Sequence, residues 1–230
     1  MLVLLFVKVV LLNLKKNTMK VKCLIVLVLS LGFMTTAFGQ KKQNDWISLF
    51  NGKNLDGWQV GENAASFSVE NGTLKVSGLR GHLFYMGDIA DHEFKNFEFK
   101  ATVMTKPVAN SGIYFHTKYQ EGGWPSIGYE VQVNNSQGDW KRTGSLYNIL
   151  NVQETYVTDD VWYTEYIKVE GKRVIIKIND TVVVDYTEPE NPKRSEGEVN
   201  RLLSKGTFAL QAHDPGSTVF YKDIMVKPLK

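Results

Sequence analysis

The feature that most restricts this chain is a succession of short runs in which apolar and polar residues alternate, each closed off by turn-forming residues. Alternation with period two marks strands buried on one face, and Val, Ile, Phe, Tyr and Thr fill these runs. The candidate strands are Ser66–Glu70, Thr73–Ser77, Phe97–Thr105, Ser111–His116, Tyr129–Asn134, Glu165–Glu170, Arg173–Ile178, Thr181–Tyr186, Gly206–Ala212 and Val219–Lys227. Glu70-Asn71-Gly72 carries the Asn-Gly pair of a two-residue hairpin, and Glu170-Gly171-Lys172 and Asn179-Asp180 read as further tight turns. No amphipathic helical period runs through the chain; Ile89–Phe94 has room for a single helical turn. Many short strands joined by turns predict an all-β sandwich or barrel. The charged, Pro-containing stretch Thr187–Arg201 reads as a long surface loop, and Gln120–Ser126 and Ser136–Thr143 as loops suited to a ligand rim.

The amino-terminal part has a different grammar. From Met19, Lys20-Val21-Lys22 leads into the apolar run Cys23 to Phe33, followed by Thr35-Thr36-Ala37-Phe38-Gly39-Gln40. This is the order of an export signal: charged region, apolar region, cleavage zone. It predicts removal near Gly39–Gln40, a periplasmic or secreted product and no stable membrane span. The apolar run is short for a bilayer span of about 20 residues. The equally apolar stretch Met1–Thr18 is best explained by a true start at Met19; translation from Met1 would instead offer two apolar runs for a membrane hairpin. The expected organisation is a leader over 1–39 and one β domain over 40–230. The only cysteine, Cys23, falls in the leader. The mature chain is therefore expected to have no disulfide, thiol nucleophile or cysteine metal site. A net charge of +3 from scattered basic residues points to neither a nucleic-acid groove nor a polybasic membrane patch.

Alternation also assigns faces. Tyr129, Val131 and Val133 share one face of their strand, and Glu130, Gln132 and Asn134 the other. The same reading turns Ile113 and Phe115 inward with Asn110, Tyr114 and His116 outward. It turns Phe208, Leu210 and Ala212 inward with Gln211 and His213 outward, and Ile167 and Val169 inward with Tyr166 and Lys168 outward. A merely solvated sheet face favours Lys, Glu and Thr. Here amides, a carboxylate, imidazoles and aromatic rings dominate. Amides and carboxylates bind hydroxyl pairs, and rings stack on C–H faces, so this face is expected to hold a sugar, with Trp124 on the rim placed to cover its ring. His82, in what reads as a Gly81-His82-Leu83 turn, is a weaker candidate, and His92 reads as ordinary surface.

Several chemistries are disfavoured. The chain has no phosphate-cradling glycine motif, no Gly-x-Ser-x-Gly and no His-Glu-x-x-His. A retaining glycosidase needs two carboxyl groups about 5–5.5 Å apart. The places beyond Glu130 on the same face hold Gln132 and Asn134, leaving Asp214 as the nearest substitute.

Six ordered segments carry a more specific signal. They are Trp46 to Trp58, Asn110-Ser111-Gly112-Ile113-Tyr114-Phe115, Gly128-Tyr129-Glu130-Val131-Gln132, Thr143-Gly144-Ser145-Leu146-Tyr147, Phe208 to His213, and Val219 to Ile224. Together they resemble the 3-keto-disaccharide hydrolase domain family over about Trp46 to Lys230. His116 and Tyr221 stand where that family often has Arg, and Ala109 where Gly is common. The resemblance implies a concanavalin A-like fold, an antiparallel two-sheet jelly-roll sandwich, and action on glycosides oxidised at C3. The route is hydrolysis, or elimination followed by hydration. A C3 ketone acidifies the C2 proton, so one base can remove it and expel the C1 aglycone, after which water adds to the enone. That scheme needs a base, a ketone-polarising group and an acid for the leaving oxygen, but no nucleophile pair.

Within that chemistry Glu130 or His213 is expected as the base at C2, with Glu130 ahead; His213 alternatively protonates the leaving oxygen. Lys168 polarises the C3 carbonyl or is simply a solvated lysine. Asn110, Tyr114, His116, Gln132, Tyr147 and Gln211 are expected to orient the sugar, with Trp124 stacked on it. The scheme requires no cofactor and no metal, although Glu130, His116 and His213 would suit a cation if their strands converge. The expected partner is a carbohydrate. A non-catalytic carbohydrate-binding module remains the alternative, because the same aromatic and amide face would serve it.

Overall fold

The computed structural model describes residues 45–230; the expected export signal and its cleavage point lie outside the described residues. The strands in chain order are β1 (Ile47–Ser48), β2 (Trp58–Val60), β3 (Phe67–Glu70), β4 (Thr73–Ser77), β5 (Gly81–Tyr85), β6 (Asn96–Thr105), β7 (Ser111–Thr117), β8 (Tyr129–Val133), β9 (Tyr163–Glu170), β10 (Arg173–Ile178), β11 (Thr181–Thr187), β12 (Thr207–Ala212) and β13 (Thr218–Leu229). They form two antiparallel sheets. One runs β11-β10-β9-β6-β13-β4-β3, with β1 also paired to β13; the other runs β2-β5-β12-β7-β8. Turn chemistry sets the hairpins: Asn71 and Gly72 have φ of 50° and 78°, the left-handed pair that matches strand twist between β3 and β4.

The core lies between the sheets and is built from the predicted inward faces. Phe97 and Phe99 of β6 and Ile167 and Val169 of β9 meet Ile113 and Phe115 of β7 and Phe208 and Leu210 of β12, all fully buried. Phe208 sits at the centre, its ring 4.9 Å from Phe97, 4.7 Å from Phe99 and 4.8 Å from Phe94. Truncating such a residue to Ala costs about 3–5 kcal/mol.

All ten expected strands are present; Ile89–His92, where a single helical turn was expected, is a tight 3₁₀-like turn whose Ala90, Asp91 and His92 have left-handed φ of 51°, 49° and 47°. Three strands were not expected: β1, β2 and β5. The Gly81-His82-Leu83 stretch is strand rather than turn. β5 is buried at every position because both of its faces are covered. Its outer face carries Phe84, which packs with Tyr114 and Ala209 in a second apolar cluster flanked by Met86 and Tyr119. The cavity that forms the candidate site lies on that outer side of the five-stranded sheet.

Candidate functional site

Strand register aligns the outward side chains of the smaller sheet in rows. Tyr114 of β7 pairs with Glu130 of β8. The segment after β8 continues the sheet through a Val131–Leu146 bridge, and the Tyr147 N–H donates to the Glu130 carbonyl at 2.9 Å. Tyr147, Glu130 and Tyr114 therefore stand side by side. In the next row Gln132 pairs with Gly112, and Gln211 with His82. Gly112 explains the posture of Glu130: a Cβ there would lie 2.4 Å from Glu130 Oε1. The bare position lets the carboxylate lean across β7 to Gln211. The Gln211 amide donates to Glu130 Oε1 at 3.0 Å and to the Tyr114 hydroxyl at 2.9 Å. Gln132 donates to Asn110 Oδ1 at 2.9 Å. Burial pushes the Glu130 carboxyl above its ordinary range, while the Arg201 charge and hydrogen bonds from Tyr114 and Gln211 oppose the rise.

Two loops and a strap wall this floor. His213 Nδ1 lies 2.7 Å from Asp214 Oδ2. Burial alone would raise the Asp214 carboxyl, but hydrogen bonds from His213, Ser217 and the Gly216 N–H hold it below its usual range. An ionised acceptor places a proton on Nδ1 and fixes the orientation of the ring. Trp124 is 44% exposed, with its ring 5.5 Å from His213 and 5.6 Å from His82. Its loop is wrapped around Gln120, whose Nε2 donates to the carbonyls of Gly122 and Trp124 and whose Oε1 accepts from Ser126 N–H.

The strap is residues 188–206, between β11 and β12. Arg194 fastens it by donating to the hydroxyls of Tyr129 at 2.6 Å and Tyr186 at 3.0 Å. Tyr129 in turn donates to Glu188, which also accepts from the Leu203 N–H. The strap carries Glu198, Asn200 and Arg201 to the cavity. Arg201 Nε is 2.6 Å from Glu198 Oε2 and Nη2 is 3.8 Å from Glu130 Oε2, while its buried Nη1 has no partner among the described residues. Asn148 occupies the other Glu198 oxygen at 2.6 Å. The cavity is about 420 Å³.

Of the residues expected from sequence, Asn110, Tyr114, Trp124, Glu130, Gln132, Tyr147, Gln211 and His213 line this cavity. Lys168 does not. Its outward orientation was correctly anticipated, but β9 belongs to the other sheet, and its ammonium pairs with Glu170 at 2.8 Å. His116 does not either. It has φ of 56°, which breaks the alternation of β7, and the β7–β12 register shifts beside it. Its ring is buried against Phe97 and Phe115, with Nε2 3.0 Å from the Lys95 carbonyl and Nδ1 accepting from Ser204 N–H. Burial lowers its pKa to about 4, so it is a neutral packing group. His82 is likewise neutral, lowered to about 4 by burial, and lies beneath Trp124. Tyr221 is in the core with its hydroxyl 2.8 Å from Ser111 Oγ. Sequence reasoning missed Arg201, Glu198 and Asn148, because loop residues carry no periodicity; the charge density of 187–201 was the available signal for Glu198 and Arg201, and Asn148 had none.

Two antiparallel sheets with a polar, aromatic-rimmed cavity on the outer face of the smaller one define a jelly-roll β-sandwich. Within that class the chain belongs to the 3-keto-alpha-glucoside-1,2-lyase-like domain family, whose profile matches residues 45–227. No curated protein sequence matches the chain. Among solved structures, a provisionally assigned glycosyl hydrolase from Parabacteroides distasonis is 21% identical, with a TM-score of 0.67 over 80% of this chain and 94% of that one. A second from the same organism is also 21% identical, with a TM-score of 0.61 over 80% and 99%. The carbohydrate-binding module CBM66 from Bacillus subtilis is 13% identical, with a TM-score of 0.52 over 74% and 95%. At these identities the likeness establishes the shared fold.

Proposed function

We propose that this protein is a carbohydrate-active enzyme that cleaves 3-keto glycosides by abstracting the C2 proton, expelling the C1 aglycone and hydrating the resulting enone. The observation that carries this reading is a buried carboxylate in the cavity floor, Glu130, pinned by Gln211 beside the Arg201 guanidinium. A base next to a fixed cation is what proton removal alpha to a ketone requires: the base takes the proton while the cation stabilises the enolate oxygen. Glu130 is the base at C2. Arg201 takes the part expected of Lys168, with its unpartnered Nη1 available to the C3 oxygen. His213, oriented by Asp214, offers Nε2 to a substrate hydroxyl or to the incoming water. Asn110, Gln132 and Gln211 orient ring hydroxyls, and Trp124 covers the sugar. Glu198 is a second carboxylate at the cavity, but its oxygens are engaged by Asn148 and Arg201, which disfavours nucleophilic attack. The leader-like amino-terminal sequence supports a periplasmic or secreted setting.

The test is incubation with matched plain and 3-keto glucosides, with aglycone release followed in D2O. The expected result is turnover of the 3-keto series alone, with deuterium at C2 of the product. Binding of both series without turnover would instead make the protein a carbohydrate-binding module. Cleavage of plain glucosides without C2 deuteration would point to carboxylate-pair hydrolysis.

A further inference from the structure

The elimination leaves one requirement unassigned: as the C1–O bond breaks, the aglycone oxygen needs a proton. The geometry points to Tyr147, backed by the ammonium of Lys141, as the donor of that proton. This assignment rests on the function proposed above.

Tyr147 lines the cavity and stands next to Glu130, fixed there by its backbone N–H bond to the Glu130 carbonyl. Lateral neighbours on a sheet face have Cβ atoms about 4.5–5.5 Å apart. The spacing suits one group working at C2 and its neighbour at the oxygen on C1. Lys141 Nζ lies 3.1 Å from the Tyr147 hydroxyl oxygen and 4.2 Å from the ring centroid. An ammonium has three donors and no acceptor, so it donates to the phenol oxygen. The phenol keeps its own proton for another acceptor, and among the described residues no protein group accepts it. A cation bonded to the oxygen stabilises the phenolate left after proton transfer.

Lys141 is not a free surface lysine. Its side chain is 16% exposed, with Asp139 Oδ2 at 3.6 Å. The loop that presents it is rigidly tied: Arg142 Nη1 donates to the carbonyls of Gln137 and Asp139 at 2.7 and 3.0 Å, and Asn134 Nδ2 donates to the carbonyls of Asp139 and Lys141. Lys141 is thus a positioning residue, acting through Tyr147. The charged groups around this pair are Asp139, beside Lys141, and Glu130, Glu198 and Arg201, which line the cavity with Tyr147.

The step balances without a further reagent. Glu130 takes the C2 proton and the C2–H electron pair forms the C1=C2 bond. The C1–O bond breaks, and the aglycone oxygen keeps its electron pair and takes the phenolic proton. Hydration runs in reverse: water oxygen adds to C1, a water proton returns to the Tyr147 phenolate, and Glu130, whose proton exchanges with solvent between the two steps, returns a proton to C2. The net change is one water consumed, with the aglycone alcohol and a free 3-keto sugar released.

The experiment uses 3-keto glucosides with aglycones from simple alkyl alcohols to 4-nitrophenol. A nitrophenolate leaves without help, whereas an alkoxide does not. Tyr147→Phe should lose on the order of 10²–10⁴-fold in kcat on alkyl aglycones yet stay within about tenfold of wild type on the nitrophenyl substrate. It should still exchange the C2 proton of the alkyl substrates in D2O, because that step precedes the loss. Lys141→Met should steepen the leaving-group dependence in the same direction, and Lys141→Arg should restore it. Equal losses on every aglycone, abolition of C2 exchange, or no loss at all would each overturn the assignment. If wild-type protein turns over no member of the series, the underlying function is wrong and this role falls with it. If wild type turns over the series and only the leaving-group pattern is flat, this role alone fails.

Discussion

Gly112→Ala asks whether the bare position beneath Glu130 is what makes the site. An alanine Cβ there falls 2.4 Å from Glu130 Oε1, 2.9 Å from Cγ and 3.0 Å from Cδ. Non-bonded contact is comfortable at about 3.5 Å, so the carboxyl must withdraw by roughly 1 Å. The backbone has no reason to move. Gly112 is not among the glycines with positive φ, and the atoms in the way belong to one flexible side chain. Withdrawal breaks the 3.0 Å bond from Gln211. A misplacement of about 1 Å at a catalytic group is worth on the order of 10²-fold in rate, or about 2.7 kcal/mol of transition-state stabilisation. Stability changes less. Alanine in a strand interior gains about 0.5–1 kcal/mol over glycine, and the lost charged hydrogen bond costs about 1.5–3 kcal/mol. The assay is kcat/KM on a 3-keto glucoside beside a urea melt. Combining Gly112→Ala with Glu130→Asp shortens the carboxylate and relieves the contact, so the double variant should lose less than the sum of the singles. A single variant within threefold of wild type, or a strictly additive pair, refutes the reasoning.

Glu130→Gln keeps the shape and removes the basicity, so turnover should fall by about two to four orders of magnitude with substrate binding largely retained. In wild type, rate should decline on the acid side with a midpoint above the ordinary carboxylate value of about 4.3, because burial raises the Glu130 pKa; an acid limb at or below that value counts against Glu130 as base. Glu165 is fully buried with neither oxygen partnered among the described residues, and burial drives its pKa well above the usual range. The folded state therefore holds this proton more tightly than the unfolded state does. The group adds no penalty below its unfolded pKa and a growing one as pH rises toward its folded value. Glu165→Gln should gain on wild type by about 1.4 kcal/mol per pH unit above roughly pH 5 in paired denaturant melts, and a pH-independent gap would contradict this. Arg194→Met releases the strap from Tyr129 and Tyr186 and takes the cationic partner from the buried Glu188. It should destabilise the protein by about 3 kcal/mol or more and raise KM at least tenfold; an unchanged KM in a folded variant would deny the strap its part in the site.

The sequence pattern predicted strands well where one face met the core and the other met water or a cavity. β5 escaped because Phe84 packs on its outer face while Leu83 enters the core, so the run has no alternation to detect. Parity predicted which way a side chain points but not which sheet carries it, and that is how Lys168 was grouped with Glu130. One left-handed residue is enough to void the parity rule, and His116 occupies that position. The floor of the site was legible because it is made of strand residues with a periodicity. Arg201 and Glu198 were not, since their positions depend on Arg194 and Glu188 fastening a loop to tyrosines that β8 and β11 bring together.

The strap described above behaves as an exchangeable cassette. It leaves the edge strand of one sheet and enters the centre of the other, and it is closed at its far end by the Phe94–Gly206 bridge. Each doubling of a flexible loop costs only about 0.6 kcal/mol in closure entropy, so insertions between the Arg194 anchor and Gly206 are thermodynamically cheap. The row of Tyr147, Glu130 and Tyr114 is fixed by sheet register and does not feel such changes. Insertions that leave Arg201 in place beside Glu130 can therefore reshape the roof over the cavity without disturbing the floor, so the strap can alter what the site accepts separately from what it does.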